Sequence, residues 1–261
     1  MSSPAIAAVL AVAVLLGGCG GGGSGSGGNP PKPIAEGVYF GLYTTAGSST
    51  PVPVFGAVSP QGYAYFGDIH GTQYVLPDQI EKGGFTGSVT AWAPFGHNFD
   101  DGRKSHDYLL AGRAQANDDI VTAIDGVLSG EAGSGSFKLT YQGLSKPAPV
   151  LADMAGTYQG YYWESGHVAV SVTLAADGSF EFSDGYGCTG NGQLSVVSGY
   201  NLLKVSLDST GNSTCAGKAS GLGFTGTKDL GDFFQNATGT YIYFGASNAD
   251  IGFIVLLYKS N

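Results

Sequence analysis

Charge is scarce in this sequence. Lys, Arg, Asp and Glu make up 12% of the 261 residues, and the formal net charge is −9. The acidic excess is shared: residues 30–147 carry seven basic and eleven acidic groups, and residues 148–261 carry four and nine. An evenly acidic surface repels phosphate backbones, so nucleic acid is excluded as a partner, and no basic patch is present to meet anionic lipid. Histidine occurs four times and cysteine three times. No helix-length apolar run of about 20 residues exists, which excludes a membrane-spanning helix. Amphipathic helical spacing is missing as well. The 45 glycines follow no Gly-X-Y period, which excludes a collagen-like chain.

Residues 1–28 contain no Lys, Arg, Asp or Glu at all. Within them Ala5–Leu16 is an apolar run of 12 residues, the length of the hydrophobic region of a secretory signal. It leads into Leu16-Gly17-Gly18-Cys19, which resembles the bacterial lipobox. The resemblance implies that residues 1–18 are a cleaved signal peptide and that the Cys19 sulfur carries diacylglycerol. It also implies acylation of the new amine, and two or three chains hold a membrane stably where one holds it marginally. Gly20 rather than Asp after the cysteine implies sorting to the outer membrane. One departure from the pattern is that no Lys or Arg precedes the apolar run. Residues 19–33 read as the lipidated cysteine and a Gly/Ser/Pro tether. Gly20–Gly28 is flexible coil with a reach of about 15–18 Å, and Pro30, Pro31 and Pro33 stiffen the approach to the folded part.

What the chain has in quantity is glycine set between short runs of Tyr, Phe, Val and Thr. That is the composition of many strands joined by tight turns, so an all-β fold is expected, with antiparallel β-barrel or β-sandwich domains. The chain also repeats itself. Gly37-Val38-Tyr39-Phe40-Gly41-Leu42-Tyr43 opens one half, and Gly156-Thr157-Tyr158-Gln159-Gly160-Tyr161-Tyr162 opens the other. Each opening precedes an alternating strand, Gly62–Asp68 in one half and Asp177–Asp184 in the other. Further strands are predicted at 85–92, 108–114, 121–128 and 135–141. In the second half they are predicted at 168–174, 193–197, 202–207, 221–226, 239–244 and 252–258. Pro147 and Pro149 mark a boundary, so two β domains are expected, 34–147 and 148–261. The apolar run Phe253–Tyr258 reads as a buried closing strand. A membrane-spanning barrel is disfavoured because the predicted strands are mostly shorter than the 9–11 residues such a strand needs.

The Gly-x-Tyr-x-Gly openings, Val89-Thr90-Ala91-Trp92-Ala93-Pro94-Phe95-Gly96 with Phe99-x-Asp101-Gly102, and Gly187-Cys188-Thr189-Gly190 together resemble a group of uncharacterised proteobacterial lipoproteins. The resemblance spans nearly the whole mature chain. Its motifs are turn and strand positions, and it implies no assigned activity. In outline the two lobes are also similar to surface lipoproteins such as transferrin-binding proteins, without any shared motif.

Signals for chemistry are thin. Cys188 and Cys215 are expected to form a disulfide in an oxidising compartment. Two cysteines 27 residues apart, with His167 the only histidine of that half, lack a zinc ligand set. The densest polar segment, 97–107, offers His97, Asp101 and His106 as weak metal candidates, but it misses the calcium-loop pattern and places Arg103 and Lys104 beside any cation. His70 near Asp68 is the nearest approach to a hydrolase constellation, and no Gly-x-Ser-x-Gly elbow is present. Trp163, with Tyr161 and Tyr162, is the candidate aromatic binding cluster. The expectation is therefore a non-catalytic, lipid-anchored outer-membrane protein that uses no cofactor beyond the covalent lipid on Cys19. Its β domains would contact an envelope protein, a glycan or a small ligand. The alternatives are a carrier holding an apolar ligand inside a barrel, and an envelope hydrolase.

Overall fold

Alternation of side chains decides the fold: a strand such as Leu203-Lys204-Val205-Ser206-Leu207-Asp208-Ser209-Thr210 buries every second residue and exposes the rest. Sixteen strands build two closed antiparallel barrels of eight strands each in the computed structural model. The structure describes residues 32–162, 168–212, 215, 217–228 and 238–260. The signal segment, Cys19, most of the tether, Trp163 and His167 lie outside the described residues.

The first barrel comprises β1 (Gly37–Thr45), β2 (Val52–Val58), β3 (Ala64–Asp68), β4 (Gln73–Leu76), β5 (Gly83–Trp92), β6 (Ser105–Asn117), β7 (Ile120–Gly130) and β8 (Gly133–Gln142). The second comprises β9 (Gly156–Tyr162), β10 (Ala169–Leu174), β11 (Ser179–Asp184), β12 (Thr189–Val196), β13 (Leu203–Thr210), β14 (Lys218–Lys228), β15 (Thr238–Ser247) and β16 (Gly252–Lys259). Each barrel closes by pairing its first strand with its last, β1 with β8 and β9 with β16. The repeated Gly-x-Tyr-x-Gly sits at this seam in both. A Cβ on Gly41 would lie 1.8 Å from the Lys138 carbonyl oxygen, and one on Gly160 would lie 1.9 Å from that of Leu256. The repeat thus keeps the closing strands in contact, while Tyr39 and Tyr158 point inward and are fully buried.

Two strands go beyond the sequence expectation, β2 and β4. β2 contains Pro53 and is apolar on both faces, which hides the alternation, and β4 has only four residues. Both faces of β2 are apolar because the barrels pack side by side. Val54 and Val58 point into the first barrel, whereas Phe55 and Ala57 join an apolar cluster shared between the barrels. Phe55 meets Tyr243 with ring centroids 4.8 Å apart, and Phe40 meets Phe224 at 6.2 Å. The Tyr65 hydroxyl donates across the junction to the Ser220 carbonyl oxygen at 3.2 Å. The same geometry explains β16: Phe253, Val255 and Leu257 fill the second barrel, and Ile254 and Leu256 face the first.

Among the described strands several reach nine residues or more, β6 having 13, so length does not argue against membrane crossing. Sidedness does. The barrel interiors are apolar, and exposed outward positions include Arg113, Gln115, Lys138 and Lys204, the reverse of a barrel facing lipid. Between the barrels, Lys146-Pro147 is a cis peptide, and the short helix α1 (Leu151–Met154) comes after it. Buried Asn201 fixes the linker by donating to the Leu144 carbonyl at 2.8 Å and to that of Thr225 at 2.6 Å.

Candidate binding site at the mouth of the first barrel

Barrel interiors of eight strands are just wide enough to be filled by side chains, and these two are filled. The void inside the first is about 50 Å3 and inside the second about 20 Å3. Pockets for drug-sized ligands run to about 300–1,000 Å3, so neither interior is built to enclose one. Larger concavities of about 570 Å3 beside β12–β14 and about 490 Å3 beside β7–β8 are shallow hollows on the outer faces. The barrel ends are where the two copies differ.

Three of the four ends are plugged. Ala35 and Ile80 cover one end of the first barrel, where the Tyr39 hydroxyl also donates to the Val121 carbonyl at 2.8 Å. Met154 of α1 covers one end of the second barrel and accepts a 2.6 Å hydrogen bond from the Tyr158 hydroxyl through its carbonyl. At the other end of the second barrel the plug comes from the first. The 93–104 loop after β5 carries Phe95 into the second core, where it is 3% exposed. Its ring lies 4.4 Å from Tyr162 and 5.5 Å from both Tyr186 and Phe253. The Tyr186 hydroxyl donates to the Phe95 carbonyl at 3.2 Å. Gly96, at φ +83°, turns the chain away where a Cβ would strike the Tyr186 hydroxyl at 2.5 Å.

The fourth end is left open by the described residues. A cavity of about 210 Å3 is bounded by Tyr43, Asp68, His70, Tyr74, Phe99 and Tyr108, with Tyr43 and Tyr74 also lining the small apolar void beneath. Its polar centre is Asp68, the last residue of β3, 5% exposed. One carboxylate oxygen accepts from the backbone N–H groups of His70 at 2.9 Å and Thr72 at 3.0 Å, and the other accepts from the Tyr74 hydroxyl at 3.2 Å. Burial pushes the Asp68 pKa up against the opposing pull of those N–H groups. Burial likewise raises Tyr43, Tyr74 and Tyr108, so their hydroxyls stay protonated donors at neutral pH.

Asp184 repeats this device in the second barrel. It is the last residue of β11, its carboxylate accepts from the N–H groups of Tyr186 at 2.9 Å and Cys188 at 2.8 Å, and the Tyr162 hydroxyl donates to it at 2.9 Å. Both loops close with Gly at positive φ, Gly71 and Gly187. Asp-x-x-Gly after the third strand of each half is the sequence signal for this pair, and the strand pattern alone does not single it out. The Cys188–Cys215 disulfide forms as expected and ties the second of these loops to the one after β13.

The remaining candidates are dispersed. Tyr162 is buried and engaged by Asp184 and Phe95, while Tyr161 on the opposite face of β9 is 46% exposed, so alternation separates them. Trp163 lies outside the described residues. His106 is buried, packs against the Phe99 ring at a tilt with centroids 4.6 Å apart, and its Nε2 is 3.4 Å from Asp101. Asp101 also faces the Arg103 Nε at 3.6 Å, and His97 is exposed. Among the described residues no three His, Cys, Asp or Glu side chains converge as a metal site. Asp68 and His70 share the cavity, yet among the described residues they form no ion pair, and the carboxylate is already engaged by backbone and Tyr74.

No family model matches the sequence, and no curated protein matches it. Among solved structures, one match is a Bacteroides fragilis protein with a provisional outer-membrane designation. It shares 14% identity, with 88% of this chain and 97% of that chain covered, at a TM-score of 0.26. A likeness at that level carries no argument about this chain.

Proposed function

We propose that this protein is a lipid-anchored envelope protein that acts by binding, without catalysis, through the mouth of its first barrel. The observation that carries the binding reading is the one barrel end that the described residues leave unplugged, a cavity of about 210 Å3 with a buried carboxylate, three tyrosines and a histidine around it. The lipobox resemblance at Leu16–Cys19 supports the anchor and, with Gly20, the outer membrane. The voids of about 50 and 20 Å3 speak against a carrier that encloses its ligand. The engaged Asp68 carboxylate speaks against a Ser/His/Asp hydrolase at the mouth.

Two measurements test the two parts separately. Palmitate labelling and membrane fractionation of wild type and Cys19→Ala should show a labelled, membrane-bound wild type and an unlabelled, released variant. An unlabelled wild type would remove the anchor. A photo-crosslinking residue placed at Thr45, on the mouth rim, should yield a discrete adduct in intact cells, while one at exposed Lys204 should not. Equal or absent adducts at the two positions would remove the mouth as the binding site.

A further inference from the structure

The second barrel holds a worked example of what the first barrel's mouth can accept. In each barrel an aspartate at the end of the third strand gathers two backbone N–H groups and a tyrosine hydroxyl, and the loop it organises forms one wall of the mouth. In the second barrel that mouth is occupied by a protein turn, Pro94-Phe95-Gly96. The ring packs on Tyr162 and Tyr186, and the phenylalanine carbonyl accepts a hydrogen bond from Tyr186. Position by position, Tyr43 in the first barrel corresponds to Tyr162 in the repeat. His70, two residues past Asp68, corresponds to Tyr186, two residues past Asp184.

We infer that the mouth of the first barrel is a receptor for a turn of a partner protein that inserts an aromatic side chain. The ring lies against Tyr43 and Tyr74, and a backbone carbonyl of the turn takes its hydrogen bond from the His70 imidazole. This rests on the binding reading above and names its ligand class. Phe99, from the same loop as Phe95, occupies the rim only: it is half-buried against His106 and leaves about 210 Å3 beneath it. A ring presented on a turn fits the site better than a lipid chain does. The apolar void below is only about 50 Å3, while the walls of the mouth are aromatic rings with hydroxyl edges. Tyrosine faces and edges favour another ring over an alkyl chain.

The test uses the mature full-length chain carrying Cys19→Ala, so that no acyl chain competes, with ring-labelled Tyr and Phe monitored by NMR. The blocked tripeptide Pro-Phe-Gly should cause saturable shifts at Tyr43, Tyr74 and Phe99, and blocked Pro-Leu-Gly should bind about tenfold more weakly. Thr45→Trp, a substitution at an exposed rim position, should abolish the shifts. In Phe95→Ala a second set should appear at Tyr162 and Tyr186, which validates the probe. Tripeptide binding at the vacated second mouth but not at the first would overturn the inference. Saturation of the first mouth by octanoate, with no response to Pro-Phe-Gly, would overturn the aromatic turn and leave the mouth a binding site. No response to either probe would overturn both readings. Should Phe95→Ala fail to fold, the contrast between Pro-Phe-Gly, Pro-Leu-Gly and Thr45→Trp still decides.

Discussion

The two barrels share a strand plan, a seam and an aspartate-organised loop, yet among the described residues one is sealed at both ends and the other at one. The sealed barrel draws its second plug from its neighbour, since Phe95 belongs to the first barrel's chain and the second barrel's core. It also carries the disulfide, which clamps the loop of Tyr186 and Cys188 behind that plug. Among the described residues the open barrel has neither device at the corresponding end. Two copies of one fold have thus been divided into a closed support and an open mouth. The opening kept in one copy and closed in the other is the observation on which the proposed binding role rests.

The largest expected effect comes from removing the plug. Phe95→Ala should cost about 3–5 kcal/mol, the range for a buried phenylalanine whose cavity cannot collapse, measured by denaturant unfolding. A loss below about 1 kcal/mol would mean the ring is dispensable and the second barrel seals itself. Next is the disulfide. Replacing Cys188 and Cys215 by Ser opens a constraint spanning 27 residues, worth about 3–4 kcal/mol in the chain-entropy view. Hydrogen exchange should then rise first around Tyr186 and Asn212 rather than in the first barrel, because the Asn212 side chain donates to the Tyr186 carbonyl. Exchange rising first in β1–β4 would contradict the division.

The third effect is one of pH. Burial holds the Asp68 pKa above its ordinary 3.8, so the folded state disfavours the charged form. Its contribution to stability is full below the unfolded pKa and is lost as pH rises through the raised value. Asn does not titrate, so Asp68→Asn should gain stability relative to wild type from about pH 4 upward. Asp177, fully exposed at the turn before β11, runs the opposite way. The Ser179 hydroxyl and N–H lower its pKa, so its contribution is present above the unfolded value and lost on acidification. Urea titrations of Asp68→Asn and Asp177→Asn across that range should diverge in sign, and parallel slopes would show that burial does not penalise the Asp68 charge.

Much of the architecture is legible in the sequence because it rests on local pattern. Alternation or a continuous apolar run marks all eight strands of the second half, β16 by the run Phe253–Tyr258, and the Gly-x-Tyr-x-Gly repeat marks the start of each barrel. β2 is illegible for a tertiary reason: its outward residues Phe55 and Ala57 are apolar because another barrel lies on them, and no local rule records that. Closure into barrels rather than sandwiches depends on which strands meet last, β1 with β8 and β9 with β16, a pairing between residues about 100 positions apart. The site is less legible still. The sequence draws attention to Tyr161–Trp163 as a cluster, but alternation sends Tyr162 inward and Tyr161 outward. It also presents Phe95 as part of a family-like motif, with nothing to say that the ring leaves its own barrel.

The smallest effect is the one that sharpens the comparison most. Phe95 and Phe99 are four residues apart on one loop and point to different barrels, one as a plug and one as a rim. Phe99 is half-buried and rests on His106, so Phe99→Ala should cost no more than about 1 kcal/mol. If the mouth were sealed by Phe99 as the second barrel is by Phe95, the two substitutions would cost alike. A cost for Phe99→Ala several-fold below that for Phe95→Ala, together with altered binding at the mouth, is what a rim residue gives. Near-equal costs would make the first barrel a second closed support and move the search for a binding surface away from the barrel ends.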